Sequence, residues 1–341
     1  MVQNFTTPMD MSYHSHDSDL IGQYQSTTDA LLKYAGTIII ILGTVFHILA
    51  LVTLCCSPAM RRQSSTVYMI AMSLTGLVTL YSGLLRWIII GYSQWSIDIR
   101  DHSDAGCRIQ MTITYMSLQY FAWLQATVAV DRLIAVRKPH RYMNTCSWKI
   151  GSGVVLGQLL LAISLCVMIL VMSGHDDMGN CQMPFAKIWG YIDLASYSLV
   201  PALILIICNC LVAAFLTHHD IKFSSKSRDE KAFSVTVMLL ALNIFFIVTT
   251  LPISVIFFMD YGEYGTAKYF KLELIYTVFS LFQYIGTSCS FLVYCLTGTK
   301  FREEFRKLLC NKSVQRCSHA LREPLTSCPP RSDGKTTGTD V

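Results

Sequence analysis

Few side chains in the apolar part of this chain could carry out covalent chemistry. His47 is the one histidine inside a long apolar stretch, and no acidic residue stands near it in the sequence to complete a nucleophile–base pair. His14 and His16 lie in a polar stretch near the N-terminus without the spacing of a metal site. We therefore predict no enzyme activity, no cofactor and no metal site.

The chain contains several long apolar stretches, and Arg86 is the one formally charged residue inside them. Over the 341 residues, 52% are hydrophobic and 14% charged, and the mean hydropathy is +0.44. Soluble domains average about 25% charged residues. Disordered and collagen-like chains are more polar or more repetitive than this chain, so its composition excludes both classes. The net charge of +5 is too small to predict a nucleic-acid partner. A multi-spanning membrane protein is the class that remains.

Seven apolar stretches are long enough to cross a bilayer as helices, which takes about 20 residues each. They are Ala35–Cys56, Val67–Ile90, Ile109–Val130, Ile150–Ser173, Leu194–Thr217, Ala232–Met259 and Leu274–Thr299. Membrane-spanning strands would be shorter and would alternate apolar with polar residues. The predicted fold class is therefore an all-α membrane protein, a seven-transmembrane helix bundle.

The basic residues orient this bundle, because lysine and arginine concentrate in cytoplasmic loops. With the N-terminus outside, twenty of the 27 basic residues fall on the cytoplasmic side. The acidic residues show the opposite bias, with 13 of the 22 on the outer side. We therefore predict an outer N-terminus and an inner C-terminus.

The segments flanking the spans complete the predicted domain organisation. It comprises a disordered extracellular tail (1–34), the seven-span domain (35–299), a short amphipathic interfacial helix (300–310) and a disordered cytoplasmic tail (311–341). The N-terminal segment has no basic start and no apolar core, so we predict no cleavable signal peptide. Asn4 begins a glycosylation sequon on the outer side, and Cys310 is a candidate palmitoylation site.

Cys107 and Cys181 are the two cysteines, of thirteen, that this topology exposes to an oxidising compartment. Two candidates allow one pairing, and a disulfide between them would hold the second outer loop over the mouth of the bundle. Two unrelated thiols are the alternative.

Asp131 and Arg132 follow the third span, and Arg132 stands 25 residues after Cys107. With Pro139 in the next loop and the predicted topology, this region resembles the Asp-Arg-Tyr region of rhodopsin-like (class A) G-protein-coupled receptors. Further positions matching that family are Pro201, Asn209, Phe246, Pro252 and Tyr294. The start of the second span (Ser64–Met69) and the Tyr-Cys-Leu-Thr-Gly run that begins at Tyr294 are similar to invertebrate neuropeptide receptors of the FMRFamide-receptor-like group.

This resemblance implies a two-state helix bundle at the plasma membrane that couples an extracellular ligand to a heterotrimeric G protein. It also implies arrestin, a receptor kinase and membrane lipids as partners. The expected transducer switch consists of Asp131, Arg132, Asn209, Phe246, Pro252 and Tyr294.

The chain departs from the family pattern at several interior positions. The sodium-binding Asp of the second span is Gly76, the Asn of the first span is His47, and the Asn of the seventh-span motif is Ser290. Since no carboxylate remains to hold the ion, we predict that sodium does not change agonist affinity.

Candidate ligand-binding residues lie towards the outer side. They are Arg86, Thr114, Asp193, Glu273, Tyr276 and Tyr284. Thr114 replaces the acidic residue of amine receptors, and Tyr284 replaces the lysine that binds retinal in opsins. Acidic residues crowd the outer rim, which favours a short basic or amidated peptide as the ligand.

Arg86 needs a partner in the membrane, and Glu273 or a ligand group is expected to supply it, unless the side chain extends to the surface. Two other functions stay open at this point. One is an orphan receptor with constitutive or heteromeric signalling, which the altered switch residues favour. The other is a transporter, although the sequence shows no inverted repeat.

Overall fold

The computed structural model describes residues 8–57, 64–137, 148–177, 179–218, 226–256, 259, 263–297 and 299–309. Asn4 and Cys310, the predicted modification sites, lie outside these residues. Helices make up nearly all of the described chain. In chain order they are α1 (Pro8–Ala30), α2 (Gly36–Cys56), α3 (Ser64–Thr79), α4 (Leu85–Ser93), α5 (Asp104–Arg137), α6 (Trp148–Met172), α7 (Ala186–Asp193), α8 (Val200–His218), α9 (Lys226–Ile256), α10 (Ala267–Ser288), α11 (Ser290–Thr297) and α12 (Thr299–Leu309).

Three π-helical segments connect pairs of these helices into longer rods. They are Leu31–Ala35 between α1 and α2, Leu80–Leu84 between α3 and α4, and Leu194–Leu199 between α7 and α8. We number the spans accordingly: α2 is the first, α3–α4 the second, α5 the third, α6 the fourth, α7–α8 the fifth, α9 the sixth and α10–α11 the seventh. A short antiparallel hairpin, β1 (Gly174–His175) and β2 (Cys181–Gln182), lies between the fourth and fifth spans.

The outer faces of several spans are apolar and exposed, as lipid contact requires. By length and composition, four segments of the described chain could cross a membrane. They are Ser18–Cys56, Ser64–Ser93, Trp148–Met172 and Ile188–Phe215. The fourth span is strongly apolar, yet only 17% of its most apolar stretch is buried. Large side chains such as Leu160 and Val171 are 67% and 62% exposed, which would be unfavourable in water.

The third span is more polar than the fourth because it lies inside the bundle, where it packs against the second, fourth and fifth spans. Its polar side chains Ser117, Gln119 and Gln125 are buried. A 34-residue helix is about 50 Å long and therefore also exceeds the hydrocarbon thickness. The main hydrophobic core extends along this helix and includes Phe121 and Phe246.

Several predicted boundaries are corrected by the structure. The tail predicted to be disordered is helical from Pro8, and it continues into the first span without a break. This helix is held at its C-terminal end, where Trp95 Nε1 donates a hydrogen bond to Asp29 Oδ1 (3.0 Å) and Thr28 is buried. The seventh span is interrupted at Cys289, between α10 and α11. The amphipathic helix is present as α12.

Hydrophobic and polar contacts fix α12 against the inner end of the bundle. Phe301 is buried, and the Phe291 ring lies 5.8 Å from Phe301 and 5.3 Å from Phe305, centroid to centroid. Ser57 Oγ donates a hydrogen bond to Glu304 Oε2 (2.8 Å). The apolar face of this helix therefore continues the main core.

Candidate functional site

A disulfide between Cys107 and Cys181 ties the hairpin to the outer end of the third span, with an S–S distance of 2.00 Å. Two acidic side chains reinforce this link. The backbone N–H of Cys181 donates to Asp101 Oδ1 (2.8 Å), and that of His175 donates to Asp104 Oδ1 (3.1 Å). The predicted disulfide is present. The prediction of a single pair was incomplete, because Cys56 is also disulfide-bonded.

Arg86 forms an ion pair with Asp98 of the first outer loop, which corrects the predicted pairing with Glu273. Arg86 Nη2 lies 2.6 Å from Asp98 Oδ2, and Arg100 Nη2 lies 2.9 Å from the same oxygen. The Arg86 guanidinium also lies over the Trp87 ring, 4.6 Å from its centroid. Burial opposes ionisation of Asp98, but the hydrogen bonds from both arginines hold its pKa well below the ordinary value.

Two of the aromatic candidates, Tyr276 and Tyr284, border one cavity, which lies between the segment before the first span and the second and seventh spans. Trp87, Tyr276 and Tyr284 line it, together with Leu32 and Leu84. The structure therefore brings the predicted residues Tyr276 and Tyr284 together with Trp87.

Thr114 reaches the same region from the third span. A Cβ atom on Gly83 would lie 2.4 Å from Tyr284 Oη and 3.3 Å from Thr114 Cγ2, so this glycine allows the second, third and seventh spans to approach closely. Gln110 Nε2 donates to Thr114 Oγ1 (3.2 Å). Glu273, by contrast, faces the N-terminal helix, where its negative charge is repelled by that of Asp29.

Asp193 lies deeper than predicted. The predicted fifth span begins at Leu194, but α7 begins at Ala186, so Asp193 lies about two turns inside the helix. Gln119 Nε2 donates to Asp193 Oδ1 (3.0 Å) and lies 2.8 Å from Ser196 Oγ. The carboxylate interacts electrostatically with the Tyr115 and Tyr276 phenols, so it belongs to the same polar interior as the aromatic candidates.

Asp131 and Arg132 form an ion pair at the inner end of the third span. Both residues are buried, with 5% and 6% of their surfaces exposed. Ser64 Oγ, at the start of the second span, donates to Asp131 Oδ1 (2.8 Å). The pair therefore also connects the second and third spans.

The other proposed switch residues lie on the fifth, sixth and seventh spans. Asn243 Nδ2 donates to Asn209 Oδ1 (3.1 Å), which joins the fifth and sixth spans. The Phe246 ring packs 6.0 Å from that of Phe121, and Pro252 stands inside the sixth helix. Tyr294 belongs to α11, and its side chain is outside the described residues.

His47 occupies the space that a side chain at position 76 would need. It is fully buried, and a Cβ atom on Gly76 would lie 2.3 Å from its Cε1 atom. Neither ring nitrogen of His47 has a hydrogen-bond partner among the described residues. The two departures from the family pattern are therefore structurally linked.

Four residues of these sites were missed by the sequence analysis: Ser64, Asp98, Gln119 and Asn243. Gln119 and Asn243 are amides inside apolar stretches, a signal that could have drawn attention to them. Asp98 is one of several acidic residues in the outer loops, and sequence spacing does not show that its loop folds back over Arg86.

A sequence profile described as 7 transmembrane receptor (rhodopsin family) matches residues 47–292. The chain belongs to this family. This match confirms the predicted seven-transmembrane fold and class, and, since the family consists of receptors, the prediction that the chain is not an enzyme. The narrower similarity to invertebrate neuropeptide receptors stays a prediction.

Similar proteins include the B2 bradykinin receptors of two mammals. The receptor of Oryctolagus cuniculus is 26% identical over 241 residues, which cover 64% of this chain and 65% of that protein. The receptor of Sus scrofa is 26% identical over 251 residues, covering 66% and 68%. The chain thus spans about two thirds of the length of these curated relatives.

Proposed function

We propose that the protein is a plasma-membrane receptor that binds an extracellular peptide and activates a heterotrimeric G protein. The observation that carries this proposal is the similarity to B2 bradykinin receptors, which are named for a peptide ligand, within a match to the receptor family. A short basic or amidated peptide is the ligand class that we favour.

The charge distribution of the outer side supports a cationic ligand. Acidic residues outnumber basic ones there, and such a field attracts a basic peptide towards the bundle. The disulfide-linked hairpin lies at the outer end of the third span, beside the acidic side chains of Asp101 and Asp104. Arg86, Thr114, Asp193, Glu273, Tyr276 and Tyr284 are the proposed ligand-binding residues.

The inner side supports coupling to a transducer. The buried Asp131–Arg132 pair would stabilise the resting state, and movement of the sixth span about Pro252 would release Arg132 towards the G protein. Asn209, Phe246 and Tyr294 complete the proposed switch. Arrestin, a receptor kinase and membrane lipids are further proposed partners, with Asn4 glycosylated and Cys310 palmitoylated.

The test is a calcium and cAMP screen of transfected cells against a library of short basic and amidated peptides. We expect at least one peptide to give a saturable response that mock-transfected cells lack. Silence across the library together with high basal signalling would instead support a constitutive receptor, the second candidate, which the altered residues His47, Gly76 and Ser290 favour.

A further inference from the structure

We infer that Asp193 is the acceptor for a cationic group of the ligand, a guanidinium or an ammonium, deep inside the bundle. This inference rests on the proposed function and names the chemistry that its pocket selects. The relevant contacts are those of the Asp193 carboxylate with the third span and with the aromatic side chains around it.

The Asp193 carboxylate has no cationic partner within the described chain. Its hydrogen-bond donor is the neutral amide of Gln119, which is fully buried and also contacts Ser196 Oγ. No lysine, arginine or histidine of the described residues lies within 4.0 Å of it. A carboxylate at membrane depth is unfavourable unless a cation or several donors compensate it.

One oxygen of this carboxylate remains available to a ligand. Oδ1 accepts the Gln119 hydrogen bond. Oδ2 accepts none from the described residues and is not fully buried. Asp193 is partly buried, so the carboxylate is sheltered but reachable. This is the arrangement expected of a charged group that is completed by an incoming partner.

The Asp193 carboxylate lies within electrostatic range of several aromatic side chains. It interacts electrostatically with Tyr115, Tyr197 and Tyr276, and Tyr115 packs edge-on against Trp189 with ring centroids 5.7 Å apart. Aromatic faces attract cations, and Tyr or Trp next to a carboxylate is suited to binding a guanidinium or an alkylammonium. The walls and the charge therefore favour the same ligand group.

Two arginines of this region, Arg86 and Arg100, are already paired with Asp98. Arg86 and Arg100 act on Tyr115 and Tyr276 as Asp193 does, but both are held by Asp98. Asp98 makes several hydrogen bonds to them, so neither is free to neutralise Asp193. No cation of the described residues is therefore left to neutralise Asp193, which leaves this role to the ligand.

The experiment measures the thermal midpoint of purified full-length receptor with two small probes, Nα-acetylarginine amide and its neutral isostere Nα-acetylcitrulline amide. We expect a concentration-dependent rise of several degrees with the arginine amide only. In Asp193→Asn this rise should disappear, while the midpoint without probe stays equal or increases, because the uncompensated charge is removed. The matched control, Asp177→Asn in the exposed hairpin, should behave as wild type.

Two results would overturn the inference. One is an equal response of wild type to both amides. The other is an Asp193→Asn protein that keeps the arginine-amide response, whether or not its midpoint falls. Asp193→Glu provides a second charged variant and should retain the preference for the arginine amide. A failed peptide screen would contradict the proposed function without changing these readouts, so the two failures are distinguishable.

Discussion

Asp98 is the residue that makes an arginine tolerable at the outer end of the second span. Arg86 and Asp98 are sheltered, with 10% and 15% of their side chains exposed, and Arg100 shares the same carboxylate. Removing one partner from such a pair costs about 3–5 kcal/mol, because the remaining charge is left uncompensated. We expect Asp98→Asn to lower the thermal midpoint of the purified receptor by several degrees.

The pH dependence of this difference follows from the lowered pKa of Asp98. A depressed pKa contributes stability that is fully present above the ordinary carboxyl value and is lost only as the pH falls through the lower folded value. The gap between wild type and Asp98→Asn should therefore be constant from about pH 5 to 8. A gap that closes at pH 5, or an equal loss in the exposed-pair control Glu303→Gln, would contradict this role.

Gly76 and His47 form a matched pair in which one residue makes room for the other. A methyl group on Gly76 would overlap the imidazole, so Gly76→Ala should destabilise the receptor by about 1–3 kcal/mol. The double variant His47→Ala with Gly76→Ala should recover most of this loss, as measured by thermal denaturation. Additive losses in the double variant would show that the two side chains do not compete for space.

The same position determines the expected response to sodium. Gly76 supplies no carboxylate, and the neighbouring His47 is not a ligand that sodium prefers. We expect agonist affinity to be unchanged when sodium chloride is replaced by N-methylglucamine chloride at equal ionic strength. A saturable sodium effect on affinity would contradict this account.

Among the structural elements, the hairpin between the fourth and fifth spans depends most on a covalent bond. It has two residues in each strand, and its disulfide closes a 74-residue separation along the chain. Loss of such a bond typically costs about 2–5 kcal/mol. Cys107→Ser should therefore reduce surface expression and peptide binding, whereas Cys210→Ser, at an exposed free cysteine, should not. Equal expression and binding in both variants would contradict this role.

The spans were predictable from the sequence because apolar runs of this length have few other uses. Their exact ends were not. The helical N-terminal tail depends on contacts such as Trp95 with Asp29, which join residues far apart in the sequence. Because the fifth helix begins earlier than predicted, Asp193 lies in the interior and not at the rim. Apolar periodicity carries no information on such tertiary contacts.

For the molecule as a whole, the sequence suggested candidate residues but not the contacts that they make. Asp131 and Arg132 are paired, and Trp87, Tyr276 and Tyr284 share a cavity. The partner of Arg86 was wrong, since loop geometry places Asp98 there instead of Glu273. Hydrogen bonds between spans, such as that of Asn243 with Asn209, also required the three-dimensional structure.

The net charge of the molecule separates across the membrane into a basic inner side and an acidic outer side. The inner excess faces anionic lipid and the proposed G protein, and the outer acids face the proposed peptide. Ligand and G protein would then be coupled reciprocally through one bundle with two states. Arg132 is the residue at which this coupling should be separable from ligand binding.

The most direct measurement is peptide-stimulated nucleotide exchange on the G protein in membranes that contain wild-type receptor or Arg132→Ala, with binding of the same labelled peptide measured in parallel. The peptide is the one that the screen identifies. We predict stimulated exchange in wild type, and a loss of at least about tenfold in the stimulated exchange rate of Arg132→Ala, with peptide binding retained. Unchanged exchange in Arg132→Ala, or no peptide-stimulated exchange in wild type, would contradict the account.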